Sequence, residues 1–159
     1  MNRRRGPAGS EPLLPHKLRD ILGDPATDLD VVSAYCVPTA AGVEAFVALA
    51  QRGVKIRVLT NSLEATDVAV VHAGYAKRRK PLLEAGITLY EILAQRITTA
   101  FRSAIPTDAY EVRLSETGDL YWIERREEGS VRHATEPGAS LWRRIGVRVI
   151  SLLPIEGLL

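Results

Sequence analysis

Residues 28–62 have the sequence DLDVVSAYCVPTAAGVEAFVALAQRGVKIRVLTNS, in which three patterns follow one another. The outer parts, DLDVVSAYCVP and VKIRVLTNS, are apolar runs typical of buried strands. The middle part places apolar residues at helical spacing, and Gly53 follows it at a position where helices commonly end. A strand, a helix and a second strand in this order predict a β-α-β unit with parallel strands and a right-handed crossover.

On the C-terminal side of this unit the chain first repeats the pattern and then changes it. TDVAVVHAGYAKRRKPLLEAG predicts a second helix, which we expect Thr66 to cap and Pro81 to kink or divide, and ITLYEI predicts a third parallel strand. AYEVRLSETGDLYWIE then alternates apolar and polar residues around a turn, which predicts an antiparallel hairpin, and SVRHAT can add a third short strand. The predicted fold class is α/β, an open sheet with flanking helices, followed by this hairpin.

Composition excludes several classes of protein. The 159 residues are 46% hydrophobic and 25% charged, as in an ordinary globular protein of about one domain. The net charge of +2 is too small to indicate nucleic-acid binding, and the single cysteine, Cys36, excludes an intrachain disulfide and a cysteine-based metal cluster. Residues 1–14 begin with basic residues but lack the apolar region of a signal peptide, so we expect a flexible tail. No run reaches the roughly 18 apolar residues of a membrane-spanning helix.

The C-terminal residues 137–159 predict an amphipathic helix that is both basic and apolar. Trp142, Ile145, Val149 and Leu152 fall on one side of it. Such a helix can lie in a membrane interface, with membrane contacts through a tryptophan and three arginines: Trp142, Arg143, Arg144 and Arg148. Packing against its own domain is an equally good interpretation of the same pattern.

Residues 33–92 resemble the phospholipase D superfamily, and within it the bacterial cardiolipin synthase C-like proteins. In that group the first strand commonly has the form Ser-Pro-Tyr-Phe-x-Pro-Thr, and later come Arg-Gly-Val, Leu-Thr-Asn-Ser and His-Ala-Gly-Tyr. The present chain matches all four, with Ala34 and Cys36 as departures in the first. The resemblance implies a C-terminal half domain of this type, phosphatidyl transfer between glycerophospholipids as the family activity, and no cofactor or metal.

The catalytic motif that this family places after its third strand is His-x-Lys-x4-Asp. Its imidazole attacks the phosphodiester phosphorus, and its lysine neutralises the phosphoryl oxygens. None of the three histidines, His16, His72 and His133, has a lysine two residues later. At the expected place Ile92 is followed directly by Leu93, the start of a predicted helix up to Ile105, although such connections usually take about 2 to 6 residues. We interpret this junction as an internal deletion, natural or through a gene-model splice; the alternative is a compact family variant.

Four polar residues are candidates for the remnant of a phosphate or substrate pocket: Tyr35, Asn61, His72 and Tyr75. Tyr35 and Asn61 follow parallel strands at the edge where open α/β sheets hold ligands. His72 shares a helix face with Tyr75 and Arg79, and the resemblance implies a place near the phosphate pocket. The alternatives are a half-buried helix histidine and ordinary strand-end packing. The basic run AKRRKP is predicted to be a solvated face, and no catalytic residue is expected.

These patterns divide the chain after the tail into a partial phospholipase D-like domain (15–105), a hairpin extension (106–136) and the C-terminal helix (137–159). The first functional hypothesis is an inactive cardiolipin synthase-like protein, cytoplasmic and peripheral at the inner face of the cell membrane. The second is a non-catalytic membrane- or partner-binding module. A nuclease-type phosphodiesterase is a weaker third. Expected partners are an anionic phospholipid surface and either a second copy of this chain or a second phospholipase D-like chain, with no nucleic acid.

Overall fold

A computed structural model describes residues 25–92, 109–126 and 128–152 of the chain. The tail predicted in residues 1–14 and the helix predicted in residues 93–105 lie outside this part. The described residues form one six-stranded sheet, with its strands side by side in chain order, and three helices. In sequence these are β1 (Asp28–Val32), α1 (Ala40–Gln51), β2 (Lys55–Asn61), α2 (Ala69–Glu84), β3 (Thr88–Ile92), β4 (Ala109–Leu114), β5 (Leu120–Arg126), β6 (Gly129–His133) and α3 (Leu141–Ser151).

The first three strands are parallel, which confirms the predicted β-α-β pattern and its repeat. Val31 of β1 lies opposite Val58 of β2, and Val58 lies opposite Leu89 of β3. Helix α1 begins where the Thr39 hydroxyl accepts a hydrogen bond from the backbone N–H of Gly42. It ends before Gly53, whose φ of +88° is a conformation that a side chain disfavours.

The hairpin is also confirmed, and it continues the same sheet. β4 pairs antiparallel with β3, β5 with β4, and β6 with β5. At the turn the Ser115 hydroxyl accepts the backbone N–H of Asp119 at 3.0 Å, and Gly118 has a φ of +79°. The parallel strands and the hairpin therefore share one hydrogen-bonded sheet.

The core lies between the sheet and helices α1 and α2. Val58, Leu89, Val112 and Trp122 stand side by side on four neighbouring strands, and all four are buried. α1 adds Val43 and Phe46 to this cluster, and α2 adds Tyr75 and Leu82. Full burial of each large apolar side chain contributes roughly 1.5 to 3 kcal/mol, so this row of side chains holds the parallel strands and the hairpin together.

Helix α2 differs from the prediction at its N-terminus and at Pro81. Its N-cap is Val68, which makes no side-chain capping bond, so the expected cap at Thr66 is wrong; Thr66 is buried instead. The helix also continues through Pro81 without division. Pro81 is on the exposed side, where water can satisfy the carbonyl that loses its partner, and the buried Leu82 holds the following turn in place.

Helix α3 packs on α2 with only one side. Val147 is buried and Ile150 is half-buried in a small apolar cluster with Leu63 and three alanines, Ala69, Ala73 and Ala76, together with Ala139. The opposite side, which begins with Trp142, remains exposed. In the described part of the chain, no helix combines the length and the apolar composition that crossing a bilayer requires.

Candidate functional site

A small pocket opens at the carboxyl ends of β1 and β2, beside α2. Its walls include all four residues of the predicted phosphate or substrate pocket, and the full lining is Ala34, Tyr35, Cys36, Thr60, Asn61, Thr66, Val71, His72 and Tyr75. The empty space is about 170 Å³, including the part open to solvent. The enclosed cavity itself is about 10 Å³, roughly the room that one water molecule needs, so the pocket is a shallow cleft.

Hydrogen bonds fix the strand ends that form the pocket wall. The Thr60 hydroxyl accepts the backbone N–H of Cys36 at 3.2 Å and donates to the carbonyl of Ala34 at 3.4 Å. Burial raises the pKa of the Cys36 thiol to about 11, so this side chain is a neutral thiol rather than a nucleophilic thiolate. The wall is therefore polar but uncharged.

A hydrogen bond between Tyr35 and Asp67 spans the rim of the pocket. The Tyr35 hydroxyl donates to Asp67 Oδ1 at 2.6 Å, joining the segment after β1 to the segment before α2. This hydrogen bond raises the pKa of Tyr35 and lowers the pKa of Asp67. Both groups are exposed, so the bond positions the tyrosine ring at the rim more than it stabilises the fold.

The floor of the pocket carries an unused hydrogen-bond donor. Tyr75 Oη is buried and has no hydrogen-bond partner among the described residues. Burial, followed by the nearby Glu91 carboxylate, raises the pKa of Tyr75 well above its usual value, so the hydroxyl keeps its proton. The His72 ring meets the Tyr75 ring edge-on, with 5.7 Å between the centroids. A group with an acceptor oxygen would satisfy this hydroxyl.

Behind the floor, Arg79 links two carboxylates. Its Nε lies 2.8 Å from Oε1 of Glu91, and its Nη1 lies 2.6 Å from Oε1 of Glu136. His72 Nε2 is 2.9 Å from the same Glu136 oxygen and 2.7 Å from Arg79 Nη2. Trp122 donates its indole N–H to Oε2 of Glu91 at 3.0 Å. The five side chains form one network, called the Arg79 network below.

The electrostatics of the Arg79 network keep its charges in place. Burial by itself lowers the pKa of Arg79, but Glu91 and Glu136 outweigh it and the net change is upward. Burial raises the pKa of Glu136, whereas its hydrogen bond with His72 and the Arg79 charge lower it to about 2. The guanidinium also lies 4.8 Å from the centre of the Tyr75 ring and 5.4 Å from that of Trp122, within cation–π range. Near neutral pH, Arg79 and Glu136 are therefore both charged.

The network contains residues that sequence patterns missed. Arg79 was predicted to lie in the solvated run AKRRKP, and this is wrong, because only 3% of its side chain is exposed. Its neighbour Lys80 is solvated as predicted. The spacing of Arg79 from His72, two helical turns, was the available signal. Glu136 gave none, since it contacts His72 from 64 residues away in the chain.

The predicted membrane contacts are divided by the structure between two sides of α3. Trp142 is 81% exposed, and Ile145, Val149 and Leu152 are exposed on the same side. Arg148 is exposed beside them. Arg143 and Arg144 are half-buried: Arg143 donates to the backbone carbonyl of Thr66, and Arg144 donates to the Thr135 hydroxyl at 2.6 Å. Of the three arginines, Arg148 is the one turned outward with the apolar stripe.

The chemical options of this site are narrow. Nε2 of His72 makes its hydrogen bond with either Glu136 or Arg79 and the side chain is buried, so this nitrogen is not presented to a phosphorus atom in the pocket. No group of three or more His, Cys, Asp or Glu residues in the described ranges could hold a metal ion. The enclosed space has room for a group of about one water molecule.

Comparisons of the sequence with known proteins find a matching family. The family described as "Cardiolipin synthase, PLD-like domain" matches residues 18–102. Cardiolipin synthase C of Escherichia coli K12 is 33% identical over 215 residues, an alignment that covers 97% of this chain and 46% of that protein. Two uncharacterised proteins from two strains of Helicobacter pylori are each 32% identical over 62 residues, 39% of this chain and 12% of theirs. No solved structure matches significantly.

The alignment with the Escherichia coli protein is longer than the chain itself. It runs over 215 residues, whereas the chain has 159, so at least 56 aligned positions have no counterpart here. The chain also spans less than half the length of that relative.

Proposed function

Because the chain belongs to the cardiolipin synthase family of phospholipase D-like domains, we propose that it is a non-catalytic member, which keeps the sheet but lacks the segment with the nucleophile. The observation that carries this proposal is the absence of His-x-Lys-x4-Asp from the whole sequence. The surplus of at least 56 aligned positions in the Escherichia coli relative supports a missing internal segment. The direct junction between Ile92, the last residue of β3, and Leu93 supports its location.

Without the nucleophile the covalent route of the family is closed. A phosphohistidine needs an imidazole nitrogen that can reach phosphorus, and His72 is tied to Glu136 and Arg79. The test is a transphosphatidylation assay on phosphatidylglycerol vesicles, with cardiolipin synthase C of Escherichia coli as the positive control. We expect no product above a heat-treated sample. Product formation by this chain that His72→Ala abolishes would refute the proposal.

The origin of the missing segment is tested separately. Genomic DNA across the codons of Ile92 and Leu93 either runs without interruption or contains an intervening segment. An uninterrupted reading frame supports a natural deletion. An intervening frame that encodes His-x-Lys-x4-Asp would make the chain a splice product of an intact enzyme.

The pocket is part of the proposal, as the remnant of a phosphate or substrate site. Its support is the convergence of Tyr35, Asn61, His72 and Tyr75 on one small space, together with the unsatisfied Tyr75 hydroxyl. A buried donor without an acceptor costs roughly 1 to 3 kcal/mol, so an acceptor oxygen bound there would be favourable.

The second candidate function is binding of an anionic membrane through α3, as a peripheral protein at the inner face of the cell membrane. The observation that favours it is the exposed side of α3, where Trp142 is 81% and Leu152 is 85% exposed, with Ile145 and Val149 between them. Residues 137–152 contain three arginines and no acidic residue. A basic residue near an anionic surface contributes about 1 kcal/mol, which Arg148 can supply. The single free cysteine, Cys36, agrees with a reducing compartment.

Vesicle flotation tests the membrane candidate with exposed point changes instead of truncation, because deleting α3 would uncover Leu63 and Ala73. The test variant carries Trp142→Ser and Val149→Ser, and the matched control carries Val131→Ser, an exposed valine on β6. We expect the chain and the control to float with phosphatidylglycerol vesicles and the test variant to bind about tenfold more weakly or worse. Arg148→Glu should remove the preference for anionic over neutral vesicles. Equal binding by test and control variants would contradict this candidate.

A further inference from the structure

Glu136 is the carboxylate of the Arg79 network that comes from a segment outside the sheet. It lies in the segment between β6 and α3, and its Oε1 contacts both His72 Nε2 at 2.9 Å and Arg79 Nη1 at 2.6 Å. The side chains of His72, Arg79 and Glu91 are at most 3% exposed, whereas that of Glu136 is 12% exposed. It is therefore the member of the network nearest to solvent.

Charge balance does not require Glu136. Arg79 already has a counter-ion in Glu91, which is completely buried and held by the Trp122 N–H. Glu136 is a second carboxylate on the same guanidinium. Arg79 Nη1 and His72 Nε2 both face Glu136 Oε1, at 2.6 and 2.9 Å, so an oxyanion in the place of this carboxylate would meet nitrogens of both side chains. Tyr75 Oη, the unpartnered donor of the pocket floor, belongs to the side chain that stacks edge-on against His72.

We propose that His72 and Arg79 form a binding site for a phosphate-type oxyanion, and that Glu136 fills this site in the structure as an internal competitor. The inference deepens the proposed phosphate pocket and rests on it, since His72 lines that pocket. It adds a regulatory element that the pocket residues alone do not contain: the site opens when the segment before α3 withdraws Glu136. Phosphate offers more acceptor oxygens than one carboxylate, so it can engage the guanidinium, the imidazole and the Tyr75 hydroxyl together.

The test compares two substitutions that remove the same charge. Glu136→Ala empties the space, while Glu136→Gln removes the charge but keeps the space filled. Inorganic phosphate is the probe, in thermal unfolding and titration calorimetry against sodium chloride of equal ionic strength. We expect Glu136→Ala to bind phosphate at least about tenfold more tightly than the unchanged chain and Glu136→Gln, because the buried cation then lacks a competing anion. His72→Ala combined with Glu136→Ala should lose that gain.

A matched control is Glu64→Ala, which removes a carboxylate beside Gly138 of the same segment. It should gain no phosphate binding. If Glu136→Ala is unfolded in chloride, the same comparison is made as refolding by phosphate. A Glu136→Ala variant that neither binds nor refolds with phosphate, or a Glu64→Ala variant that gains equally, would overturn the inference. Neither outcome depends on the transphosphatidylation assay, so a failure here is distinct from a failure of the inactive-member proposal.

Two further arms separate free from lipid-bound phosphate. Glycerophosphate in solution and phosphatidylglycerol in vesicles are offered to Glu136→Ala, in a background that also carries Trp142→Ser and Val149→Ser to remove binding by α3. Tighter binding of glycerophosphate alone assigns the site to a soluble phosphate ester. Tighter binding of vesicles alone assigns it to a lipid headgroup. If Glu136→Ala binds neither glycerophosphate nor vesicles more tightly than the unchanged chain, and also fails to bind inorganic phosphate, the inference is overturned.

Discussion

Arg79 joins α2 to β3 and to the segment before α3 through its two carboxylate partners. Arg79→Leu would keep much of the volume but leave Glu91, which is completely buried, without a counter-ion. Breaking a buried pair in this way costs about 3 to 5 kcal/mol. We expect urea unfolding to show that Arg79→Leu lowers the free energy of unfolding by this amount. Lys80→Ala, next in the chain and 55% exposed, should change stability by less than about 0.5 kcal/mol. Similar effects of the two changes would mean that the ion pairs contribute little.

Glu136 makes the free energy of unfolding depend on pH in the acid range. Its pKa falls from an ordinary 4.5 to about 2 in the folded chain, so the unfolded chain takes up the proton first. The stabilisation is complete above about pH 4.5 and is lost as the pH falls toward 2, on the order of 3 kcal/mol in all. Denaturant unfolding across this range should show a steeper loss in the unchanged chain than in Glu136→Gln. If stability falls equally with pH in the two proteins, Glu136 is not the group responsible.

At the same scale, the pocket residues were predictable and the charged network was not. Tyr35 and Asn61 follow from the rule for strand ends, and His72 with Tyr75 follows from helical spacing. Arg79 was hidden because four consecutive basic residues spread around a helix, and nothing in that run marks which one faces inward. The contact of Glu136 depends on tertiary packing, which local patterns do not encode.

The segment that leads into α3 requires a glycine. Gly138 has a φ of +70°, and a Cβ there would overlap the Glu64 carboxylate. Gly138→Ala should therefore destabilise the chain, by about 1 to 3 kcal/mol, through backbone strain and displacement of Glu64. Gly146→Ala is the matched control: it lies inside α3 with open space around it and should stabilise by up to about 1 kcal/mol. Thermal unfolding of both variants checks this, and a neutral Gly138→Ala would show that the segment adapts.

Most elements followed from local patterns, because periodicity and turn chemistry are local. The alternation in β4 and β5 and the turn at Gly118 predicted the hairpin. Its place beside β3 did not follow, since alternation shows which residues share a face but not which strand is the neighbour. The start of α2 was missed because its backbone begins at Val68 without a side-chain cap. Pro81 is tolerated because it faces water while Leu82 is buried.

At the scale of the molecule, the open ends of the sheet predict self-association. Among the residues that the structure describes, β1 and β6 lie at the two edges of the sheet, and each exposes a valine, Val32 and Val131. Exposed edge strands pair readily with other chains. We expect the midpoint of thermal unfolding to rise with protein concentration and sedimentation to detect a dimer. Val32→Lys should abolish the dimer if β1 forms the contact, and Val131→Lys should abolish it if β6 does. A sharp transition from a monomer, independent of concentration, would contradict the prediction.

The pairing of Ile92 with Ala109 has a consequence for how such a chain can arise. The two residues are direct neighbours across β3 and β4, with sixteen positions of sequence between them. For a flexible chain, the entropy of closing a loop grows only with the logarithm of its length, by about 0.6 kcal/mol for each doubling. If the 56 or more extra positions of the Escherichia coli relative lie at this junction, as we propose, their addition would cost only about 1 to 2 kcal/mol of closure entropy. Strands β3 and β4 can therefore pair across connections of very different length, and the loss of a segment after Ile92 that we propose would leave this pairing intact.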